Sequence, residues 1–276
     1  MKAWKYLLGF LFLAVVSLWV ALFTAKGKNF RLIACDVGQG DAILAVYGDT
    51  QVLTDGGPGE KVLTCLEKYM PFWDREIELV VLTHPQLDHY GGLIEVFKRY
   101  KVSAFLTNDF NASTQGLEAL KNAVGGSGAR VIYPGVGTRI RVGMIYLDIL
   151  HPPDGLNSTN INDYSIVTIL TFADFEALLT GDIENGIGNE IAEKGLVKDV
   201  DYIKIPHHGS KNGLTPELLE ASNPEIAVIS VGKDNSYGHP DKGVLDMLFA
   251  AGAKVFRTDE SGDIDLETDG ENLVID

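Results

Sequence analysis

Cysteine is scarce: Cys35 and Cys65 are the only two in 276 residues, and they stand 30 positions apart. That spacing excludes a cysteine-based zinc site. It leaves two readings, a pair of buried apolar thiols, or a disulfide if the domain lies outside the cytoplasm. Basic charge is scarce too, with 23 Lys and Arg against 38 Asp and Glu and a net charge of −15. Lys2, Lys5, Lys26, Lys28 and Arg31 all precede the first acidic residue, Asp36, so the remainder of the chain is strongly acidic. Such a field repels nucleic acid and anionic lipid unless bound cations invert it locally. No low-complexity stretch or long linker interrupts residues 30–276, which read as one domain, and a hydrophobic content of 46% argues against disorder.

One long uncharged run stands out, YLLGFLFLAVVSLWVALFTA at residues 6–25. At helical rise it matches the ~30 Å hydrocarbon core of a bilayer, so residues 1–29 read as an N-terminal membrane anchor. A cleaved signal peptide competes with this, but the run exceeds the usual ~7–15-residue apolar region and ALFTAKG is a poor cleavage site. Lysines flank the run on both sides, so the positive-inside rule does not orient it. A short tail ahead of a large domain points to a single-pass membrane protein with that domain extracytoplasmic.

Beyond the anchor, FRLIACDV, AILAVYG and QVLTD are β-branched runs broken by GQGD and GDT, a strand meander. Helical EKVLTCLEKYM, the buried strand IELVVLT and helical LIEVFKRY follow. ARVIYP, TRIRV, MIYLDIL, SIVTILTF and FEALLTGD return to strands before helical NEIAEKG. The last third alternates strands (DYIKIP, EIAVISVG, KVFRT) with helices (PELLEAS, GVLDMLFAAG) and ends in a hairpin through DGEN. Two halves of this kind predict an α/β fold of two mixed sheets face to face with helices outside, a four-layer αββα arrangement.

Strand ends hold functional side chains well, because the sheet fixes the backbone while the next loop leaves room for a ligand. Four ends here carry acids or histidines: Asp55, the group His84, Asp88 and His89, Asp182, and the pair His207 and His208. Imidazole with carboxylate suits zinc, manganese or iron. Asp55 alone would be a turn residue, but three ionisable groups beside a buried strand must pair or bind something. Asp36 and Asp41, on either side of VGQG, either line the same mouth or are solvated turn carboxylates.

THPQLDHYGG resembles the H-x-H-x-D-H signature of the metallo-β-lactamase fold. DVGQGDAILA, LTDGG, NDYSIVTILTF, LLTGDIE, IKIPHHGSKNG, NSYGHP and VFRTDESGDI resemble, in order, blocks of the hydrolase-like domain of ComEC-type competence proteins, across nearly all of residues 30–265. The resemblance implies one or two divalent ions, zinc or manganese, and metal-dependent hydrolysis. Its first implied substrate is a phosphodiester, with nuclease-like activity. A small ester, lactone or amide is the alternative, and a metal-poor anchored binding module a third. A ring of Lys or Arg at the mouth would mark the first, an apolar mouth the second.

By position the resemblance implies His84, Asp88, His89, Asp182 and His207 as metal ligands, with Asp182 bridging and Asp163 preferred to Asn162 as a further oxygen ligand. Asp88, Asp182 and His239 would carry catalysis, His239 by meeting phosphate or moving a proton. Asp55 would hold a ligand histidine in the right tautomer, and His208 would stand behind the ligands or at the substrate. Gln86 replaces the second histidine of the signature. An amide oxygen binds zinc more weakly than imidazole, so one ion is held firmly and a second weakly or not at all. One helix stands where those proteins have a large polytopic channel, so a role in DNA uptake does not follow.

Overall fold

A computed structural model describes residues 3–24, 29–108 and 114–275, with side chains described for 4–19 in the first segment. Ala3–Thr24 is helical. The membrane span expected over residues 6–25 lies partly outside the described residues, and among the described residues no helix is long and apolar enough to cross a membrane.

Two mixed sheets follow. The first runs in the order Leu273–Ile275, Ile264–Thr268, Phe30–Ala34, Ile43–Tyr47, Thr50–Thr54, Glu76–Val81, Lys101–Leu106, Arg130–Ile132. The second runs Lys254–Arg257, Ile226–Ile229, Tyr202–Lys204, Phe175–Leu179, Val167–Phe172, Ile145–His151, Arg139–Val142. Phe30, Leu79, Val81, Leu147, Phe175 and Tyr202 fill the space between the sheets. Alternate strand residues such as Ile33 and Val80 face the opposite way, onto the helices Lys61–Tyr69, Leu93–Arg99 and Gln115–Ser127. Ile203 and Ile229 do the same toward helices on the outer face of the second sheet. The result is the expected mixed α/β sandwich of two sheets between helices.

The strand Lys101–Leu106 and the helix Gln115–Ser127 carry signals that went unread. Thr114 caps the helix, its Oγ1 accepting from Leu117 N at 3.2 Å. Leu117, Leu120 and Val124 are buried along one face of that helix.

Cys35 and Cys65 are disulfide-bonded, joining the end of the first strand to the helix Lys61–Tyr69. A bridge closing a loop of 30 residues constrains the unfolded chain by about 3 to 4 kcal/mol. The double variant Cys35→Ser, Cys65→Ser should lower the urea midpoint accordingly, and an unchanged midpoint would show that the bridge is idle.

The strands at the centre of each sheet run parallel: Thr50–Thr54 with Glu76–Val81, and Phe175–Leu179 with Tyr202–Lys204. Parallel strands bring their C-terminal loops to one edge. That edge gathers Asp55, His84, Asp182 and the two consecutive histidines.

Candidate metal centre

The chain after Glu76–Val81 dives through buried Leu82, Thr83 and His84 into the short helix Leu87–Tyr90, which carries Asp88 and His89. Gly91 and Gly92 follow because a Cβ at Gly92 would fall on the Gly56 carbonyl, and one at Gly91 on that of Pro58. Only bare backbone lets the next helix pass so close to the loop after Asp55.

Asp55, in the left-handed region at φ 60°, accepts from Thr83 N at 2.8 Å, from Thr83 Oγ1 at 2.7 Å and from His89 Nδ1 at 2.8 Å. The last bond places a proton on His89 Nδ1 and leaves the Nε2 lone pair free. His208 is oriented in the same way, its Nδ1 donating to Ser230 O at 2.9 Å. Both Nε2 atoms then face one carboxylate oxygen, Asp182 Oδ2, at 3.2 Å from His89 and 3.1 Å from His208. Asp88 Oδ2 lies 3.5 Å from His208 Nε2. Donor atoms of Asp88, His89, Asp182 and His208 all lie within 4.8 Å of one another.

These spacings fit a divalent cation. Four ligands with ~2.0–2.1 Å bonds in a tetrahedron stand about 3.3 Å from each other. Among the described residues the buried Nε2 atoms of His84, His89 and His208 find no hydrogen-bond donor, which is costly unless a cation takes their lone pairs. His84 is a further neutral donor: burial, helped by His89, pushes it down to about 3. Its Nδ1 is 3.1 Å from Thr83 Oγ1 and its ring 4.2 Å from that of His89, outside the four-donor group.

Electrostatics point the same way. Asp41, Asp55 and Asp182 are buried, with Asp88 mostly so, and a single lysine answers them. Burial opposes ionisation of Asp182, yet His208, Lys204 and His89 hold it well below the usual carboxylate range. Burial likewise opposes charging His89 and His208, but carboxylates led by Asp182 raise both well above the usual imidazole range. The pocket is short of positive charge, and a bound cation supplies it.

That lysine, Lys204, was missed. It is 1% exposed, pairs with Asp41 and with Asp182 Oδ1 at 3.1 Å, and donates to Gly181 O at 2.9 Å. A charge inside the apolar run DYIKIP is the signal that could have found it.

The structure places His207, Asp163 and Asp36 outside the four-donor group. His207 and His208 both adopt left-handed backbone, φ 50° and 55°, and their rings diverge. His208 turns into the cluster, whereas His207 turns to Glu184, 3.9 Å away, and to the His239 ring at 5.8 Å. Asp163 is engaged by its own loop, accepting from Ser158 Oγ at 2.6 Å and from Asn160 Nδ2 at 3.4 Å. Its neighbour Asn162 is the buried one, accepting from Gln86 Nε2 and donating to Glu184 Oε1 at 3.3 Å. Asp36 is a turn carboxylate, accepting from Gly38 N at 3.1 Å with Lys61 at 3.6 Å. Asp41 is the inward one of that pair, held at about 2 by Lys204 against the opposing effect of burial.

A pocket of about 370 Å³ opens onto the centre, lined by Gln39, Pro58, Gln86, Leu87, Asp88, His207, His208, Tyr237 and His239. Among the described residues no Lys or Arg lines it. A larger cavity of about 730 Å³ lies at the opposite strand ends, among Asp174, Asp201, Glu225 and Lys254, and has no histidine. The smaller one, with the donor cluster beside it, is the candidate functional pocket.

The model of the metallo-beta-lactamase superfamily matches residues 35–233. The chain belongs to that superfamily. Its relatives include ComE operon protein 3 of Bacillus subtilis, 27% identical over 253 residues (83% of this chain, 32% of that protein). Recombination protein 2 of Haemophilus influenzae is 28% identical over 250 residues (89% and 30%). These are ComEC-type competence proteins, and the chain spans about a third of their length. Among solved structures, the metallo-beta-lactamase fold protein YhfI of Bacillus subtilis superposes with a TM-score of 0.60 at 13% identity, covering 86% of this chain and 99% of that one. Tm1679, a metal-dependent hydrolase of the beta-lactamase superfamily, gives 0.53 at 14% identity, covering 83% and 95%. By superfamily the chain carries a metallo-beta-lactamase domain, and its His/Asp cluster is a set of donors that could hold a divalent ion.

Proposed function

We propose that the protein hydrolyses phosphodiesters, in nuclease-like fashion, at a single divalent zinc or manganese ion held by Asp88, His89, Asp182 and His208. The observation that carries this is the four-donor cluster beside a pocket walled by two further imidazoles, His207 and His239. Burial lowers both below the usual imidazole range. They therefore meet the non-bridging oxygens as neutral N–H donors, and one can move a proton. When bound, the cation supplies an activated water and a Lewis acid. Asp55 holds His89 in its ligating tautomer, and Asp41 and Lys204 brace the far side of the cluster. One ion suffices because Gln86 and Asn162, where further ligands would stand, are hydrogen-bonded to each other, and Asp182 Oδ1 is committed to Lys204.

Relatives named for competence and recombination support nucleic acid as the phosphodiester. The absence of Lys and Arg from the pocket lining, with Leu87 and Pro58 in its wall, favours a second reading, a small neutral ester or lactone. The disulfide, typical of oxidising compartments, supports an extracytoplasmic domain.

Purified full-length chain tests these readings together. Grown with zinc or manganese, it should carry one ion. His208→Ala should lose it, and His207→Ala should keep it. Turnover of bis-p-nitrophenyl phosphate but not p-nitrophenyl acetate supports the first reading, the reverse pattern selects the second, and a metal-free protein sinks both.

A further inference from the structure

Tyr237 belongs to none of the roles above, yet its loop is built around it. One side chain, Asn235, makes four hydrogen bonds. Its Oδ1 accepts from the backbone N–H of Tyr237 at 3.2 Å and of His239 at 3.0 Å. Its Nδ2 donates to Gly232 O at 2.9 Å and His239 O at 2.8 Å. The loop so held presents the Tyr237 ring 70% exposed at the pocket. That ring stacks on His239, with centroids 5.8 Å apart and planes 17° from parallel, and His239 in turn meets His207 edge-on at 5.8 Å. Leu87, 57% exposed, lines the same pocket.

Substrate affinity here has few sources. The domain is acidic and no Lys or Arg lines the pocket, so ion pairing cannot hold an anionic substrate beyond the phosphate that meets the metal. Aromatic stacking and apolar contact remain, and an aromatic face receives any planar base without regard to charge.

We propose that the Tyr237–His239 stack is a subsite for the nucleobase next to the scissile phosphodiester. The substrate is then a single-stranded or terminal nucleotide, since a base inside a duplex is already stacked on its neighbours. This rests on the phosphodiester reading. It assigns Tyr237 as a specificity-determining residue.

The test compares thymidine 5′-(p-nitrophenyl phosphate) with methyl p-nitrophenyl phosphate, in which a methyl group replaces the nucleoside, and reads the base through the Tyr237 variants. Tyr237→Ala should lower the ratio of their kcat/KM values by about tenfold to a hundredfold, mainly through KM for the thymidine ester, and Tyr237→Trp should restore it. An unaltered ratio in Tyr237→Ala overturns the subsite. If neither ester turns over, the phosphodiester reading fails, and calorimetric titration of the metal-loaded protein with thymidine 5′-monophosphate still decides the subsite. Affinity at least tenfold weaker in Tyr237→Ala supports it, and equal affinity overturns it.

Discussion

Asp182→Ala should abolish metal retention and reduce turnover of bis-p-nitrophenyl phosphate beyond the ~100-fold that marks the upper cost of losing an outer-shell partner. The carboxylate joins both ligating imidazoles to the buried lysine. Its Oδ2 is shared by His89 and His208 at 3.2 and 3.1 Å, and its Oδ1 lies 3.1 Å from Lys204. Removing it takes away a ligand, deprives two imidazoles of the carboxylate oxygen they share, and strips a buried ammonium of one counter-charge. Asp55→Ala makes the comparison, since Asp55 reaches the four-donor group through His89 Nδ1 and its loss should cost about 10–100-fold in metal affinity. Metal content by mass spectrometry and steady-state kinetics check both variants. Turnover within tenfold of the parent in Asp182→Ala would refute the site.

Lys204→Met should destabilise the metal-free protein by about 3–5 kcal/mol, the range for breaking a buried pair by removing one partner. Asp41 and Asp182 are both buried and would lose their shared ammonium. The pH dependence follows from Asp41. Burial alone would raise its pKa, but Lys204 overrides this and holds it at about 2, below the ordinary 3.8. A carboxylate depressed in the folded state contributes stability that is fully present above its unfolded pKa and is lost as pH falls toward the folded value. The parent should therefore lose this contribution between about pH 4 and pH 2. In Lys204→Met the folded pKa rises, the contribution shrinks or reverses, and acid unfolding begins at higher pH. Urea titrations across the acid range read both effects, and superimposable curves for the two proteins would dismiss the lysine as bystander.

Much of this was legible in the chain itself, and for a local reason. Alternation of β-branched and polar residues has a period of two, helical burial a period of 3.6, and both are visible in short windows such as TRIRV and LIEVFKRY. The acids and histidines at strand ends could be named because a strand end is a sequence feature. LTDGG and LLTGD look alike in sequence, and in space their aspartates grip His89 from opposite nitrogens, Asp55 at Nδ1 and Asp182 at Nε2.

Tertiary structure decided the rest. Whether His207 or His208 enters the cluster depends on two consecutive left-handed residues, a backbone state that packing around Ser230 and Asp41 imposes and no local pattern announces. Asn162 displaced Asp163 because burial beside Gln86 and Glu184 favours a neutral amide that both donates and accepts over a carboxylate that only accepts. Lys204 and the disulfide each depend on partners distant in sequence, Asp41 in the one case and a thiol 30 residues away in the other. Sequence alone thus determined which chemical groups the two sheets carry to their shared edge. Only the packing of the sheets against each other decided which groups face inward together, because side-chain direction at a loop is set by contacts far along the chain.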